Sequence, residues 1–156
     1  MKPELLRREQ LLFNDVTEGT AISPLLKGPY TPVDMAKFAS MYGDFYPGHY
    51  DSKWAVEIDR IPKAIVHGYQ LVTHLSQLLT DWISPDGFIR KLSTQVRAQV
   101  FVGDSVTMKG IVQKKYIKDG ESCLDCSVWG EKPDGTVVIQ GTAVVILPDS
   151  QTVADR

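Results

Sequence analysis

Cysteine and histidine are scarce in this chain, with Cys 2 and His 3 among 156 residues. Two cysteines cannot build a disulfide framework. They stand as Cys123-Leu124-Asp125-Cys126, a lone C-x-x-C without the second pair that a four-ligand zinc site needs. In a strand their sulfurs would point to opposite faces. A thioredoxin-type motif would instead open a helix. Charge of one sign is also lacking: 17 Lys+Arg face 19 Asp+Glu, for a net charge of -2. No broad field is left to attract nucleic acid or an acidic membrane surface. The longest apolar runs, such as Val144-Val145-Ile146-Leu147, are far too short to span a bilayer. Met1 to Glu9 carries charges where a signal peptide needs an apolar stretch, so a cytoplasmic location is expected. There is no G-x-G-x-x-G. Gly43 and Gly48 have phosphate-loop spacing, but His49-Tyr50 follows where Lys-Ser/Thr is required.

What is present suits one soluble domain over residues 1–156. Hydrophobic residues make up 43% and charged residues 23%, ordinary for a globular chain. A chain of this length buries roughly 68–70% of its unfolded surface and needs no staples. Thr31-Pro32-Val33-Asp34 reads as a helix start, with a hydroxyl cap, Pro at the first position and a carboxylate at the third. Gly43 is a left-handed stop. Asp51 can cap a short helix through Trp54 and Ala55. Leu71, Val72, Leu75, Leu78, Leu79 and Trp82 form the apolar stripe of a second long helix from about Val66 to Trp82. At about 17 residues it would span roughly 25 Å. Strand patterns follow at Leu92 to Val102, Ser105 to Ile117, Cys123 to Lys132 and Thr136 to Leu147. Asp119-Gly120 and Asp134-Gly135 mark hairpin turns. The expected class is α+β, with a helix lying on an antiparallel meander. Residues 1–10 and 149–156 are expected to fray.

Between the helices lies Asp44-Phe45-Tyr46-Pro47-Gly48-His49, where Pro and Gly interrupt any regular element. A carboxylate and an imidazole at the two ends of a tight turn can converge on one water molecule. The carboxylate can take its proton and the imidazole can accept or deliver another. That equipment suits adding water to an activated double bond, or removing it. By spacing alone the plainer reading is a turn-forming Asp and a solvated His.

Phe38-Ala39-Ser40-Met41-Tyr42-Gly43-Asp44-Phe45-Tyr46-Pro47-Gly48-His49-Tyr50-Asp51 resembles the signature of the MaoC-like hydratases. In this (R)-specific enoyl-CoA hydratase and dehydratase family the signature runs F/Y-A-x-x-S/T-G-D-x-N-P-x-H-x-D. Phe13 to Gly19, Lys27 to Thr31, Ile65-Val66-His67-Gly68, Phe101 to Val106 and Gly141 to Val144 resemble further family segments, in order, over about residues 11–148.

The resemblance implies a hot-dog fold, a long helix wrapped by a curved antiparallel sheet, paired into dimers. It implies action on acyl chains carried by coenzyme A or acyl carrier protein, with no metal or redox cofactor. Asp44 and His49 fall on the catalytic pair. They would activate water for attack at C3 of a trans-2-enoyl thioester, with a proton delivered to C2. Gly68 falls on the position whose backbone N–H donates to the thioester oxygen, as suits a helix start. Ser76 matches a position that supports the site by hydrogen bonding, although a mid-helix Ser commonly bonds to its own helix. His67 and His74, two turns apart, could line the acyl tunnel, with satisfied structural histidines as the plainer reading. No acid at helical spacing completes a metal site with them.

Three departures from the family's usual residues bear on the loop. Tyr46 replaces Asn, Gly48 replaces an aliphatic residue and Tyr50 replaces a frequent second His. Tyr46 therefore counts among the substrate-facing residues, and its ring could reshape or plug the pocket. A non-catalytic acyl-binding subunit and a hot-dog thioesterase are the rival readings. Arg90, Lys91, Arg97, Lys109, Lys114 and Lys115 are available to meet coenzyme A phosphates.

Overall fold

The computed structural model describes residues 10–83 and 85–149. Most of the residues expected to fray lie outside that range. So does the charged stretch Met1 to Glu9. The five strands are β1 (Ala21–Lys27), β2 (Phe88–Val96), β3 (Val106–Lys118), β4 (Glu121–Glu131) and β5 (Val137–Ile146). They form one antiparallel sheet in the order β1-β3-β4-β5-β2. The helices are α1 (Pro32–Tyr42), α2 (Ser52–Glu57) and α3 (Gly68–Ile83). Helix α3 packs across all five strands. Leu71, Leu75, Leu78, Leu79 and Ile83 from its apolar stripe are buried against Met108, Leu124, Ile139 and Val145. This is the hot-dog arrangement. Among the described residues, no helix is long and apolar enough to cross a membrane.

Local chemistry sets most boundaries. Thr31 Oγ1 accepts from Asp34 N–H, and the Asp34 carboxylate accepts from Thr31 N–H, a complete capping box at α1. Gly43 ends α1 at φ 83, a left-handed conformation that glycine adopts without steric cost. Asp51 Oδ1 accepts from Lys53 N–H and Trp54 N–H, capping α2. Asp119 and Gly120 have φ 51 and φ 80, the double positive φ of a tight hairpin.

Three boundaries differ from the sequence reading. Strand β1 was not expected; Pro24 interrupts its pattern, and its register slips between Ile22 and Leu25. Helix α3 starts at Gly68 rather than Val66. Val66 N–H donates to Val100 O at 2.8 Å and Ala64 O accepts from Val102 N–H at 2.9 Å, so the segment before it runs extended beside residues 100–102. For the same reason the strand expected over Leu92 to Val102 ends at Val96 and begins earlier, at Phe88. Cys123 and Cys126 are both free and buried within β4, and burial pushes the Cys126 thiol up to about 12.

Candidate active site

The 44–49 segment is a tight turn closed on itself. Tyr46 N–H donates to Asp44 Oδ1 at 3.2 Å, which leaves Oδ2 turned toward His49. Pro47 to His49 form a single 3-10 turn. Its position is set by the extended segment before α3: Ile65 N–H donates to Gly48 O at 3.0 Å, and His49 Nδ1 lies 2.7 Å from Ile65 O. A carbonyl only accepts, so Nδ1 carries the hydrogen and neutral His49 keeps its lone pair on Nε2. That Nε2 is 3.5 Å from Asp44 Oδ2. Both atoms are acceptors and cannot hydrogen-bond to each other, and a water beside them can donate a hydrogen to each.

His67 joins the pair from α3's threshold. Its ring stacks on His49 with centroids 3.7 Å apart and planes 21° apart. Its Nε2–H donates to the backbone carbonyl of Asp44 at 3.2 Å. It is 2% exposed. Burial, and then the neighbouring His49, push its pKa below the ordinary histidine value. It is therefore a neutral brace under the acid–base pair. Its Nδ1 and the Gln70 Oε1 nearby in the sequence are buried acceptors with no partner among the described residues.

Asp44, His49 and His67 offer ligand atoms within 4.8 Å of one another. Helical spacing gives these histidines no acid; the acid comes instead from the loop after α1. One nitrogen of each imidazole is already engaged by a backbone carbonyl, Nδ1 of His49 by Ile65 O and Nε2 of His67 by Asp44 O.

A cleft of about 310 Å³ opens beside His49. His49, Ile65, Val66, Gly68, Leu71 and the 96–100 segment line it. Among the described residues no acceptor takes the Gly68 N–H. A donor left free at a helix start, beside the imidazole, is suited to a developing oxyanion. Asp44 reaches this cleft through His49. Tyr46 does not plug it: its hydroxyl donates to Asp59 Oδ1 on the far side of Gly48. Tyr50 OH donates to Phe45 O at 3.0 Å and tightens the loop. Ser76 is half-buried two turns along α3, outside the lining. His74 is also away from the cleft, hydrogen-bonded through Nδ1 to Tyr30 OH at 3.0 Å. Of the six cations named above, Arg97 borders the cleft. Arg90 pairs with Glu121, Lys109 pairs with Glu131, and Lys115 binds the Phe13 and Val16 carbonyls. Sequence reasoning missed Asp59, because nothing in the spacing links it to position 46. A broader cleft of about 620 Å³ over β2, β4 and β5 is lined by no acid or base.

The model of the MaoC like domain family matches residues 16–128. The chain belongs to the MaoC-like family. Among solved structures it is similar to the (R)-hydratase of A. caviae involved in PHA biosynthesis. That likeness has 27% identity and a TM-score of 0.75, and covers 85% of this chain and 98% of that one. It also superposes on an unliganded R-hydratase of Pseudomonas aeruginosa, at 18% identity and TM-score 0.81, covering 90% and 88%. A third likeness is to the ChsH1-ChsH2 complex of Mycobacterium tuberculosis, at 21% identity and TM-score 0.72, covering 84% and 98%. No curated protein sequence matches significantly. Membership of this family and the likeness to the A. caviae (R)-hydratase support a hydratase or dehydratase.

Proposed function

We propose that this MaoC-like protein adds water to a trans-2-enoyl thioester, giving a 3-hydroxyacyl thioester, or runs the reverse. The observation that carries the reading is the opposed pair Asp44 Oδ2 and His49 Nε2, 3.5 Å apart beside a cleft that also exposes Gly68 N–H. Water held between the two loses a proton to the pair as its oxygen bonds to C3. The C2=C3 electron pair moves toward the thioester carbonyl, whose oxygen becomes negative and is met by Gly68 N–H. A proton returned to C2 restores the carbonyl. Atoms and electrons balance with water alone, so the step needs no oxidant or reductant. In this reading the carrier is coenzyme A or acyl carrier protein, and Arg97 at the cleft border is the cation available to an anionic carrier group. A cytoplasmic location goes with this reading.

We also propose a homodimer, or a mixed pair of hot-dog subunits. Strand β2 ends the sheet, with Phe88 61% and Val96 48% exposed. Met41, Tyr42, Phe45 and Tyr69 add exposed apolar surface around the site. A second subunit would cover such a patch.

The test is the loss of conjugated-thioester absorbance when the pure protein meets short, medium and bulky trans-2-enoyl-CoA substrates. Asp44→Asn and His49→Ala are expected to fold and to lose on the order of 10²–10⁴ in kcat. Near-wild-type rates in either variant would discard the assigned roles. Release of free thiol in place of hydration would favour a thioesterase.

A further inference from the structure

Two of the departures in the signature loop, Tyr46 and Gly48, meet in one arrangement. The Tyr46 ring lies beside Gly48, and its hydroxyl donates to Asp59 Oδ1. A Cβ at position 48 would fall on Asp59 Oδ2 and stand 2.7 Å from Tyr46 Cε1 and 3.2 Å from Cδ1. Gly48 does not have a positive φ, so its missing side chain serves space and not backbone freedom. Glycine at 48 is what lets Tyr46 and Asp59 close over it.

Tyr46 also touches both members of the acid–base pair. Its N–H holds Asp44 Oδ1 at 3.2 Å. Its ring stands edge-on to His49, with centroids 5.9 Å apart and planes at 79°. A phenol that is 46% exposed would visit several rotamers without an anchor. A hydrogen bond to a carboxylate is of the strong, charge-assisted kind. Asp59 follows α2, so the clamp ties the reacting turn to a separate element of the fold.

We infer that Asp59, acting through Tyr46 across Gly48, is a positioning residue for Asp44 and His49. The inference rests on the hydratase reading above for its activity test, and on geometry alone for its second test.

The experiment compares Tyr46→Phe, Asp59→Ala, the double variant and Asp59→Asn in the full chain, with a short trans-2-enoyl-CoA. Tyr46→Phe and Asp59→Ala should each lower kcat about tenfold with KM within about twofold, because a misplaced reacting group costs rate rather than binding. The double variant should be no slower than either single one, the signature of two groups acting as one. Asp59→Asn keeps an oxygen that accepts from the phenol and should recover to within about threefold of wild type. Unchanged kcat in Asp59→Ala, or losses that multiply in the double variant, would overturn the inference. So would a failure of Asp59→Asn to recover. If the wild-type chain turns over no enoyl thioester, it is the hydratase reading that fails. The clamp is then judged by long-range ¹H–¹⁵N spectra of the His49 ring. Equal displacement of its signals in both single variants and the double supports it, and unmoved signals refute it.

Discussion

His67 lies flat against His49, its ring centroid 3.7 Å away, while its Nε2–H holds the backbone carbonyl of Asp44. One buried imidazole thus touches both ends of the reacting turn. Two properties of that ring can be separated. His67→Gln keeps an N–H able to reach the carbonyl but has no ring to stack. His67→Phe keeps a ring and removes the donor. If the hydrogen bond governs, Phe should cost about 1 kcal/mol more stability than Gln. It should also lower kcat about tenfold further, since Asp44 loses its backbone anchor. Denaturant midpoints and steady-state rates on the two variants decide it. A faster Phe variant would assign the brace to stacking instead.

Half-buried His74 predicts how stability depends on pH. His74 is held at about 4 by burial and by the nearby Lys27, with Asp34 pulling the other way. Its unfolded value is near 6.5. Between those two values the unfolded chain binds the proton that the folded chain refuses. Stability is therefore fully present above about pH 6.5 and is lost as the pH falls toward 4. From pH 6.5 to 5 the loss should be about 1 kcal/mol, discounted from the full one-proton slope because water still reaches part of the ring. Burial acts on His67 in the same direction. Urea unfolding at a series of pH values checks this. In His74→Gln the slope over that window should flatten, whatever the variant does to stability at neutral pH. An unchanged slope would assign the acid limb to His67 or to other groups.

What could be read from residues alone was whatever is decided within a few positions. The Thr31–Asp34 capping box, the Gly43 stop, the Asp51 cap and the Asp119-Gly120 turn are all local, and each stands where its chemistry placed it. The stripe on α3 was legible because one side of a helix must face a sheet. Strand β1 was hidden by Pro24, which the fold tolerates at a bulge in an edge strand. The end of β2 was hidden because residues 97–102 keep an apolar, β-branched character while leaving the ladder to line the cleft. At the site, Asp44 and His49 were legible as two ends of one turn. Their brace was not: His67 is 23 residues from Asp44, and only the fold brings them together. Tyr46 and Gly48 looked like two independent departures from the signature. They are one, and the residue that joins them, Asp59, carries no local mark.

Gly68 offers the sharpest test of the oxyanion role, because its N–H can be removed with little disturbance. A Cβ added there would meet Val96 Cγ2 at 3.5 Å, an ordinary contact, and its φ is not positive. Gly68→Ala should therefore fold, keep the donor and change kcat by no more than about threefold, while narrowing the cleft enough to raise KM for bulky acyl chains. Gly68 is also the first residue of α3, where proline's fixed φ suits the helix and its missing N–H breaks no helical bond. Gly68→Pro should keep the fold and delete the donor. Loss of one oxyanion donor costs roughly 10²–10³ in kcat. Both variants add a Cβ at one point, and proline further replaces the N–H by a ring carbon. Circular dichroism shows whether each has kept α3, and rates on one short enoyl thioester then compare a site that keeps the donor with one that lacks it. If Pro and Ala run at the same rate, negative charge on the thioester oxygen is met elsewhere in the cleft.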